Sequence, residues 1–394
     1  MGGIAKNKVL VDQAIKIERV EAYALSVAVE NGPVSSLGKF ETRNGLLIAI
    51  TDSQGVTGWG EIWCNFPQRG ALGRINLLQD TIVERLLDLE FYKFDEVRPK
   101  LELDFHRMIT HTGEYGPFFN CFAGIDTALA DMEAKRHGQS LSQFLTGSTA
   151  SKIPAYASTP NVEDLERSID GLIREGHKAV KLKIGFQPEK DLNLIKDFSK
   201  IANGQLDLFL DANQNWTARD AISMMEKIAN FQVGFIEEPL HAEAPFEDWA
   251  QLARTTSVPV AVGENIPTKQ KFKKFITHAE VEILQPDVAK YGGVSGVISV
   301  GEIALKHNKR CFMHFMGTGI GLAVSLHCLA SINDGGLIEL DANPNPLRTS
   351  LGELDLKVTN GFLSVPAGHG HGFTPDPVAL KEFSVASFDI SSNS

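Results

Sequence analysis

Seven short apolar runs each end in a residue that can take a proton or hold a cation. They are KLK at Lys181 and Lys183, LDAN at Asp211 and Asn213, IEEP at Glu237 and Glu238, VGEN at Glu264, LQPD at Asp287, FMHF at His314 and IELD at Glu339. From Lys183 through Asp211, Glu237, Glu264, Asp287 and His314 to Glu339 the intervals are 28, 26, 27, 23, 27 and 25 residues. A strand, a loop, a crossover helix and a return loop together use roughly 20 to 30 residues. The spacing therefore places these side chains at the same end of successive parallel strands, around one mouth.

Asp211, Glu237 and Glu264 end three consecutive strands. A single strand-end carboxylate is as readily a cap or a salt-bridge partner as a ligand, but three in register repel one another and raise a pKa unless a cation neutralises them. Hard oxygen donors suit Mg²⁺, which keeps positions open for water or substrate. Glu238 falls on the opposite face of a pleated strand from Glu237 and is left out of the set. Lys181 and Lys183 are two apart and share the inward face. Burial lowers a lysine pKa and makes a base of it, while pairing with neighbouring anions is the ordinary structural role and applies in part to Lys181. A lone histidine is more often structural, yet His314 has a carboxylate, Asp287, on the neighbouring strand end to orient its imidazole as a base. Two bases facing each other across a divalent metal suit removal of the α-proton of a carboxylate: the metal stabilises the enediolate, and a base on either face removes or returns the proton. Glu339, if its pKa is raised, would donate a hydrogen bond to the enediolate oxygen.

The elements that must position these groups are readable in the same way. Over 16–63 three strand-like runs occur, IERVEAYALSV, NGLLIAITDS and VTGWGEIW, the last two joined at Ser53, Gln54 and Gly55 as an antiparallel hairpin. Two irregular loops, 28–43 and 64–70, flank them. From about Arg74 to Gly147 the spacing is helical, with Ile82, Leu86 and Leu87 in one segment and Ile125, Leu129, Met132 and Ala134 in another, so 1–150 is expected to be an α+β domain. Over 151–345 eight strand runs, from IPAYAS to LIELD, alternate with helical patterns, which implies an α/β parallel sheet closed into a TIM-type (β/α)₈-like barrel. An open doubly wound sheet would show GxGxxG after its first strand and polar residues at one switch point, and neither occurs. The segment 346–394 is expected to carry two short strands about Asn360 and to return to the first domain. His369 and His371, in GHGHG, read as a Gly-rich surface turn more readily than as a metal pair.

At 394 residues the chain is expected to form two domains, and 43% hydrophobic with 22% charged residues excludes a fibrous or disordered class. No apolar run reaches the roughly 18 residues of a membrane span, and MGGIAKNKVLVDQ lacks the apolar core of a signal peptide, so a soluble, cytoplasmic protein is expected. A formal net charge of −11 argues against nucleic acid and anionic membranes as partners. Cys64, Cys121, Cys311 and Cys328 have neither metal-ligand nor disulfide spacing and are expected reduced and buried.

The motifs KLK at 181–183, LDAN at 210–213, IEEP at 236–239, GEN at 263–265 and PDVAKYGGVSG at 286–296, with His314 and GIDTALADMEAKRHGQSL at 124–141, resemble the enolase superfamily, in its mandelate racemase subgroup (the mandelate racemase/muconate lactonizing enzyme family). The resemblance spans about 16–375. It implies an α+β N-terminal capping domain over a modified TIM barrel, (β/α)₇β, and one Mg²⁺ per site held by Asp211, Glu237 and Glu264. It makes Lys183 one base and the Asp287–His314 dyad the other, turns Lys181 toward the substrate carboxylate and Glu339 toward the enediolate oxygen, and places Asn213 with them at the substrate. Muconate-lactonizing relatives carry a lysine where this chain has Asp287; Lys290, three residues on, is not its counterpart. Members with the dyad are racemases, epimerases and dehydratases of hydroxy acids and acid sugars. The expected activity is dehydration of an acid sugar with protonated His314 as general acid; the alternative is a racemase or epimerase, and the remote alternative is a non-catalytic binding protein on the same scaffold. Specificity in the family is attributed to two capping loops, matching 28–43 and 64–70, where Lys39, Arg43 and Arg69 are available. The partner is a small-molecule carboxylate, and a homo-oligomer, dimer or higher, is expected.

Overall fold

The computed structural model describes residues 14–30, 32–35 and 38–392; residues 1–13 and the Lys39 side chain, both used in the sequence reading, lie outside them. β1 (Ile15–Ala28) starts the cap, and its buried set changes parity, from Ile15 and Ile17 to Val20, Ala22 and Ala24. The cause is an irregularity in its pairing between Ile17 and Arg19, where an extra residue turns the pleat over. In the first cap loop β2 (Val34–Ser35) and β3 (Gly38–Lys39) form a short hairpin. β4 (Thr42–Asp52) and β5 (Thr57–Ile62) complete the main hairpin. Its turn is tied by Asp52 Oδ1, which accepts from Gln54 N at 2.9 Å and Val56 N at 2.8 Å, while Gly55 takes φ 77°. β6 (Glu90–Phe91) adds to β1.

The helix Tyr115–Arg136 lies directly on β5. A Cβ on Gly58 or Gly60 would stand 2.0 or 2.1 Å from the carbonyls of Ala128 and Gly124, so only glycine permits this approach. Its other side packs on the barrel helix Gly293–Lys306. Wedged between two layers, it is buried nearly all round, and the one-sided stripe expected over Ile125 to Ala134 is only part of its apolar surface.

The barrel strands are β7 (Lys152–Ser158), β8 (Ala179–Lys183), β9 (Asp207–Asp211), β10 (Val233–Glu237), β11 (Val260–Val262), β12 (Ile283–Leu284), β13 (Arg310–Cys311) and β14 (Ile338–Asp341). Neighbours pair in parallel from β7 through β13, and β14 pairs with β7. A parallel bridge between Met313 and Ile338 closes the ring, with Met313 N donating to Leu337 O at 3.0 Å and Glu339 N to Met313 O at 3.1 Å. A helix follows each of the first seven strands and β14 leads out of the barrel, so the architecture is (β/α)₇β under an α+β cap. Among the described residues no helix is long and apolar enough to cross a membrane.

Inside the ring, Tyr156, Ala179, Phe209, Phe235, Ala261, Ile283 and Phe312 form an apolar layer with Leu337 against it. Phe209 stacks on Phe235 at 4.4 Å between ring centroids. Two residues further along the strands, on the same inward face, stand Ser158, Lys181, Asp211, Glu237, Gln285, His314 and Glu339. The polar site is thus the next layer above a dry floor.

The C-terminal segment divides. Of the two strands expected about Asn360 one forms, β15 (Phe362–Ser364), antiparallel on β7. β16 (Ser384–Ser391), which the sequence reading did not include, pairs antiparallel with β1 in the cap sheet. Between them His371 is fully buried, not on a surface turn; its Nε2 lies 3.1 Å from Trp59 O and 3.4 Å from Asp131 Oδ2, while His369 is exposed. His327 is buried with it, Nδ1 3.1 Å from Ser142 Oγ. All four cysteines are free and buried.

Burial, reinforced by His371, lowers the His327 pKa to about 4. An unfolded chain protonates this histidine near 6.5, so between those values the unfolded state binds more protons and stability is lost as pH falls. His327→Gln should flatten that acid limb by about 3 kcal/mol or less. Urea midpoints measured from pH 7 to pH 4 for both proteins check it; parallel curves would contradict it.

Candidate active site

Burial forces the polar layer to pair its charges. Lys181 Nζ lies 2.7 Å from Glu237 Oε2 and 2.8 Å from Glu339 Oε1, and Lys183 Nζ lies 2.8 Å from Asp211 Oδ2 and 2.7 Å from Asn213 Oδ1. Burial by itself lowers a lysine, as the sequence reading expected. Here it is opposed and outweighed by the anions, Glu237 and Glu339 for Lys181 and Asp211 for Lys183, so both pKa values are raised. Glu339 differs from expectation for the same reason: burial raises its carboxyl, but Lys181, His314 and a bond from Ser158 Oγ hold it below its ordinary value.

On the other side His314 Nδ1 lies 2.8 Å from Asp287 Oδ2, and its Nε2 lies 3.1 Å from Glu264 Oε2. Burial opposes the imidazolium, yet Glu264, Glu339 and Asp287 together raise His314 to about 10. Burial also opposes the Glu264 carboxylate, but His314, Lys290 and the two lysines bring it to about 2. A cleft of about 480 Å³ opens onto both sides, with Lys183 and His314 in its walls, Lys181 and Glu339 on its floor, and Phe40 and Phe66 from the two cap loops, with Trp63 just past β5, over it.

The three carboxylates singled out from the sequence end β9, β10 and the turn after β11. Asp211 and Glu237 are register partners, whereas Glu264 leans toward His314, and among the described residues no three acidic, histidine or cysteine side chains stand close enough to be a ligand cluster. The donor set nevertheless fits a hard divalent cation. Glu237 Oε1 is buried without a hydrogen-bond partner, every donor is a carboxylate oxygen, and burial lifts the Glu237 carboxyl to about 7 despite Lys181. A buried carboxylate oxygen without a partner, on the strand next to Asp211, calls for positive charge.

Several side chains around the site were not foreseen. Glu238 takes φ 37° at the strand end, outside the extended backbone of the strand before it. Its fully buried carboxyl accepts from Asn265 Nδ2 at 2.7 Å and, through burial and then Glu264, is raised to about 8. Lys290 Nζ reaches Asn265 Oδ1 at 2.7 Å and stands 3.8 Å from Glu264. Gln285 Nε2 donates to Glu237 Oε2 at 2.9 Å; its place two residues before Asp287 on the inward face was the signal that could have revealed it. Of the cap-loop cations, Arg43 is buried in an ion pair with Asp341 at 2.6 Å and is not available to a ligand, and Arg69 is exposed.

A closed α/β barrel under an α+β cap, with acid–base side chains gathered at the C-terminal strand ends, defines an enzyme fold whose site is built by strand ends and loops. Residues 19–146 match the family described as mandelate racemase / muconate lactonizing enzyme, N-terminal domain, and residues 164–379 match Enolase C-terminal domain-like. The chain belongs to the enolase superfamily, in the mandelate racemase/muconate lactonizing enzyme family. A crystal structure described as a mandelate racemase/muconate lactonizing enzyme from Bordetella bronchiseptica RB50 is 33% identical, with a TM-score of 0.85, covering 94% of this chain and 99% of that one. The D-galactarolactone cycloisomerase of Agrobacterium fabrum is 27% identical over 94% of this chain and 99% of its own length. The arabinonate dehydratase of Saccharolobus solfataricus is 28% identical over 85% and 89%.

Lys181 is the stabilising cation of the layer, and removing it leaves Glu237 and Glu339 buried without it. Lys181→Met should lower the unfolding free energy in chelator by about 3 to 5 kcal/mol at pH 8, and Lys181→Met/Glu339→Gln should regain part of it. Chemical denaturation of the two variants beside wild type measures this; equal stability of Lys181→Met and wild type would contradict it.

Proposed function

We propose that this protein removes the α-proton of a hydroxy-carboxylate, an acid sugar, and expels the β-hydroxyl as water. The observation that carries the reading is the placement of Lys183 and of His314, held from behind by Asp287, in the walls of one cleft, with Asp211, Glu237 and Glu264 at neighbouring strand ends. Asn65, Thr159, Asn213 and Asn265 also line that cleft, and such neutral donors and acceptors suit a polyhydroxylated chain better than an aromatic acid. The likeness to an arabinonate dehydratase supports the same class.

A magnesium ion held by Asp211, Glu237 and Glu264 would neutralise those carboxylates, free the lysines from them, and draw charge onto the substrate carboxylate and the enediolate formed from it. Lys181, on the floor, balances the substrate carboxylate, and Asn213 holds Lys183 in line. Lys183 takes the α-proton from its face. His314, kept by Asp287 with Nε2 toward the cleft, protonates the departing β-hydroxyl; water leaves, and the enol becomes a 2-keto-3-deoxy acid. A racemase or epimerase would use the same two bases with no leaving group, His314 returning the proton to the opposite face. The likeness to a galactarolactone cycloisomerase favours a second leaving group, a ring oxygen that departs from the β-carbon but stays on the product.

We also assign residues 1–150 with 346–394 to the cap, apart from β15, which pairs with β7, and 151–345 to the barrel, and a homo-oligomeric state, dimer or higher; a monomeric mass at micromolar concentration would contradict the last. Incubation in D₂O with aldonates, aldarates and their lactones tests the reaction. Keto acid supports elimination, α-deuteration without keto acid supports racemisation, and no metal-dependent change with any of them would leave only a binding protein. Glu264→Gln should weaken Mg²⁺ binding and nearly abolish turnover with an unchanged far-ultraviolet spectrum; full activity in chelator would exclude the metal. His314→Asn should slow α-proton exchange from one C2 configuration by about 100-fold or more while sparing the other, and Lys183→Ala should do the reverse. Loss from both configurations in either variant, with Mg²⁺ still bound, would contradict the opposed bases.

A further inference from the structure

The two members of the base pair, Asp287 and His314, sit on segments that the barrel itself holds only lightly. β12 and β13 have two residues each, and both side chains lie beyond the paired stretch. Within the barrel, the bridge from Met313 to Ile338 and the bond from Phe315 N to Glu339 Oε2 at 3.3 Å hold the His314 side, and further ties come from the cap. At the end of β5 and just past it, Glu61, Trp63 and Asn65 alternate toward the barrel. Trp63 N donates to Ala289 O at 3.0 Å, and Ala289 N donates to Asp287 Oδ1 at 2.8 Å, so the carboxylate that orients the imidazole is itself oriented through the cap. Asn65 Nδ2 donates to Met316 O at 2.9 Å, two residues beyond His314.

Glu61 makes the strongest of these ties. Its carboxylate accepts from Thr318 N at 2.9 and 3.1 Å, Thr318 Oγ1 at 2.7 Å and Gly321 N at 2.8 Å, at the start of the helix Gly319–Ile332. An anion there complements the positive end of the helix and fixes the segment that leads back to His314. The fit is close: a Cβ on Gly317 or Gly321 would come within 2.5 or 2.6 Å of a Glu61 oxygen. Burial pushes the Glu61 carboxyl up to about 7 against the lowering by Thr318 and Gly321, so the anion is costly to bury and kept by those bonds. Glu61 and Asp287 line the same small void, with no other carboxylate in its wall.

We propose that residues 61–65 of the cap are the positioning element of the Asp287–His314 base, with Glu61 its anchor. Glu61 does not reach the cleft that would hold the substrate and acts only through the segment it binds. The cap therefore does more than roof the site: its docking sets the geometry of one base and leaves Lys183 on β8, fixed by Asp211 at the end of β9 and by Asn213 just past it, independent of it. This rests on the reading of His314 and Lys183 as opposed bases.

The test uses the full-length, magnesium-supplied protein and two variants, Glu61→Gln and Thr318→Val; the second removes one donor and keeps its volume should the first fold poorly. Proton NMR follows the downfield Nδ1–H signal of His314, assigned by its loss in His314→Asn, and α-proton exchange is followed in D₂O with gluconate and mannonate, which differ in configuration at C2. The signal should shift or broaden in both variants. Exchange from the configuration facing His314 should fall by about 100-fold in Glu61→Gln, with a smaller fall in Thr318→Val, while exchange from the Lys183 face stays within about twofold. An unmoved signal, or equal losses from both configurations, overturns the proposal. If wild type exchanges neither acid, the reading of the reaction has failed with these probes, and the NMR signal alone then judges Glu61: moved, the positioning role stands; unmoved, it falls.

Discussion

The apolar floor inside the ring of strands governs everything above it. Rings at Tyr156, Phe209, Phe235 and Phe312 keep water out from below, so the charges one layer up cannot be solvated from that side and must neutralise one another. Lys181 accordingly spans Glu237 and Glu339, Lys183 settles on Asp211, and His314 bridges Asp287 and Glu264. The same arrangement keeps the groups ready for chemistry. An incoming cation and an incoming carboxylate would each replace a partner already present, so the layer exchanges pairings without leaving a bare buried charge.

The cap completes what the barrel leaves open. Long strands β7 to β10 carry the lysines and the first two carboxylates on a firm ladder, while the very short β12 and β13 do not extend to Asp287 and His314. Contacts from β5 make up the difference, and the glycines at Gly58, Gly60, Gly317 and Gly321 let backbone and carboxylate come close enough to do so. β16 pairs with the far side of β1, so the chain's last strand helps hold in place the sheet that supports the dyad.

Much of this was readable in the sequence because a βα unit has a nearly fixed length and a strand alternates strictly. Those two regularities located all eight strands and brought Lys181, Asp211, Glu237, His314 and Glu339 to one layer. Where the backbone departs from them, the reading was incomplete. The positive φ at Glu238 leaves its buried carboxyl against Asn265, a neighbour the pleat alone does not show, and Gln285 carries no charge to draw attention to an inward position. Long-range pairing was equally invisible: nothing local shows that Arg43 is held by Asp341, that His371 is buried against Trp59, or that an alternating SVASFDIS finds its partner in β1. The lysine pKa values were misjudged for a related reason, since burial alone lowers them and only the assembled anions reverse the sign.

The central claim is that one divalent cation belongs among the carboxylates of Asp211, Glu237 and Glu264, between Lys183 and His314. Crystals of the protein soaked in Mn²⁺ and measured at the manganese absorption edge test it most directly. The account predicts a single anomalous peak per chain in contact with all three carboxylates, with Glu264 turned from His314 toward the ion. No peak there, or a peak that leaves Glu237 untouched, would contradict it.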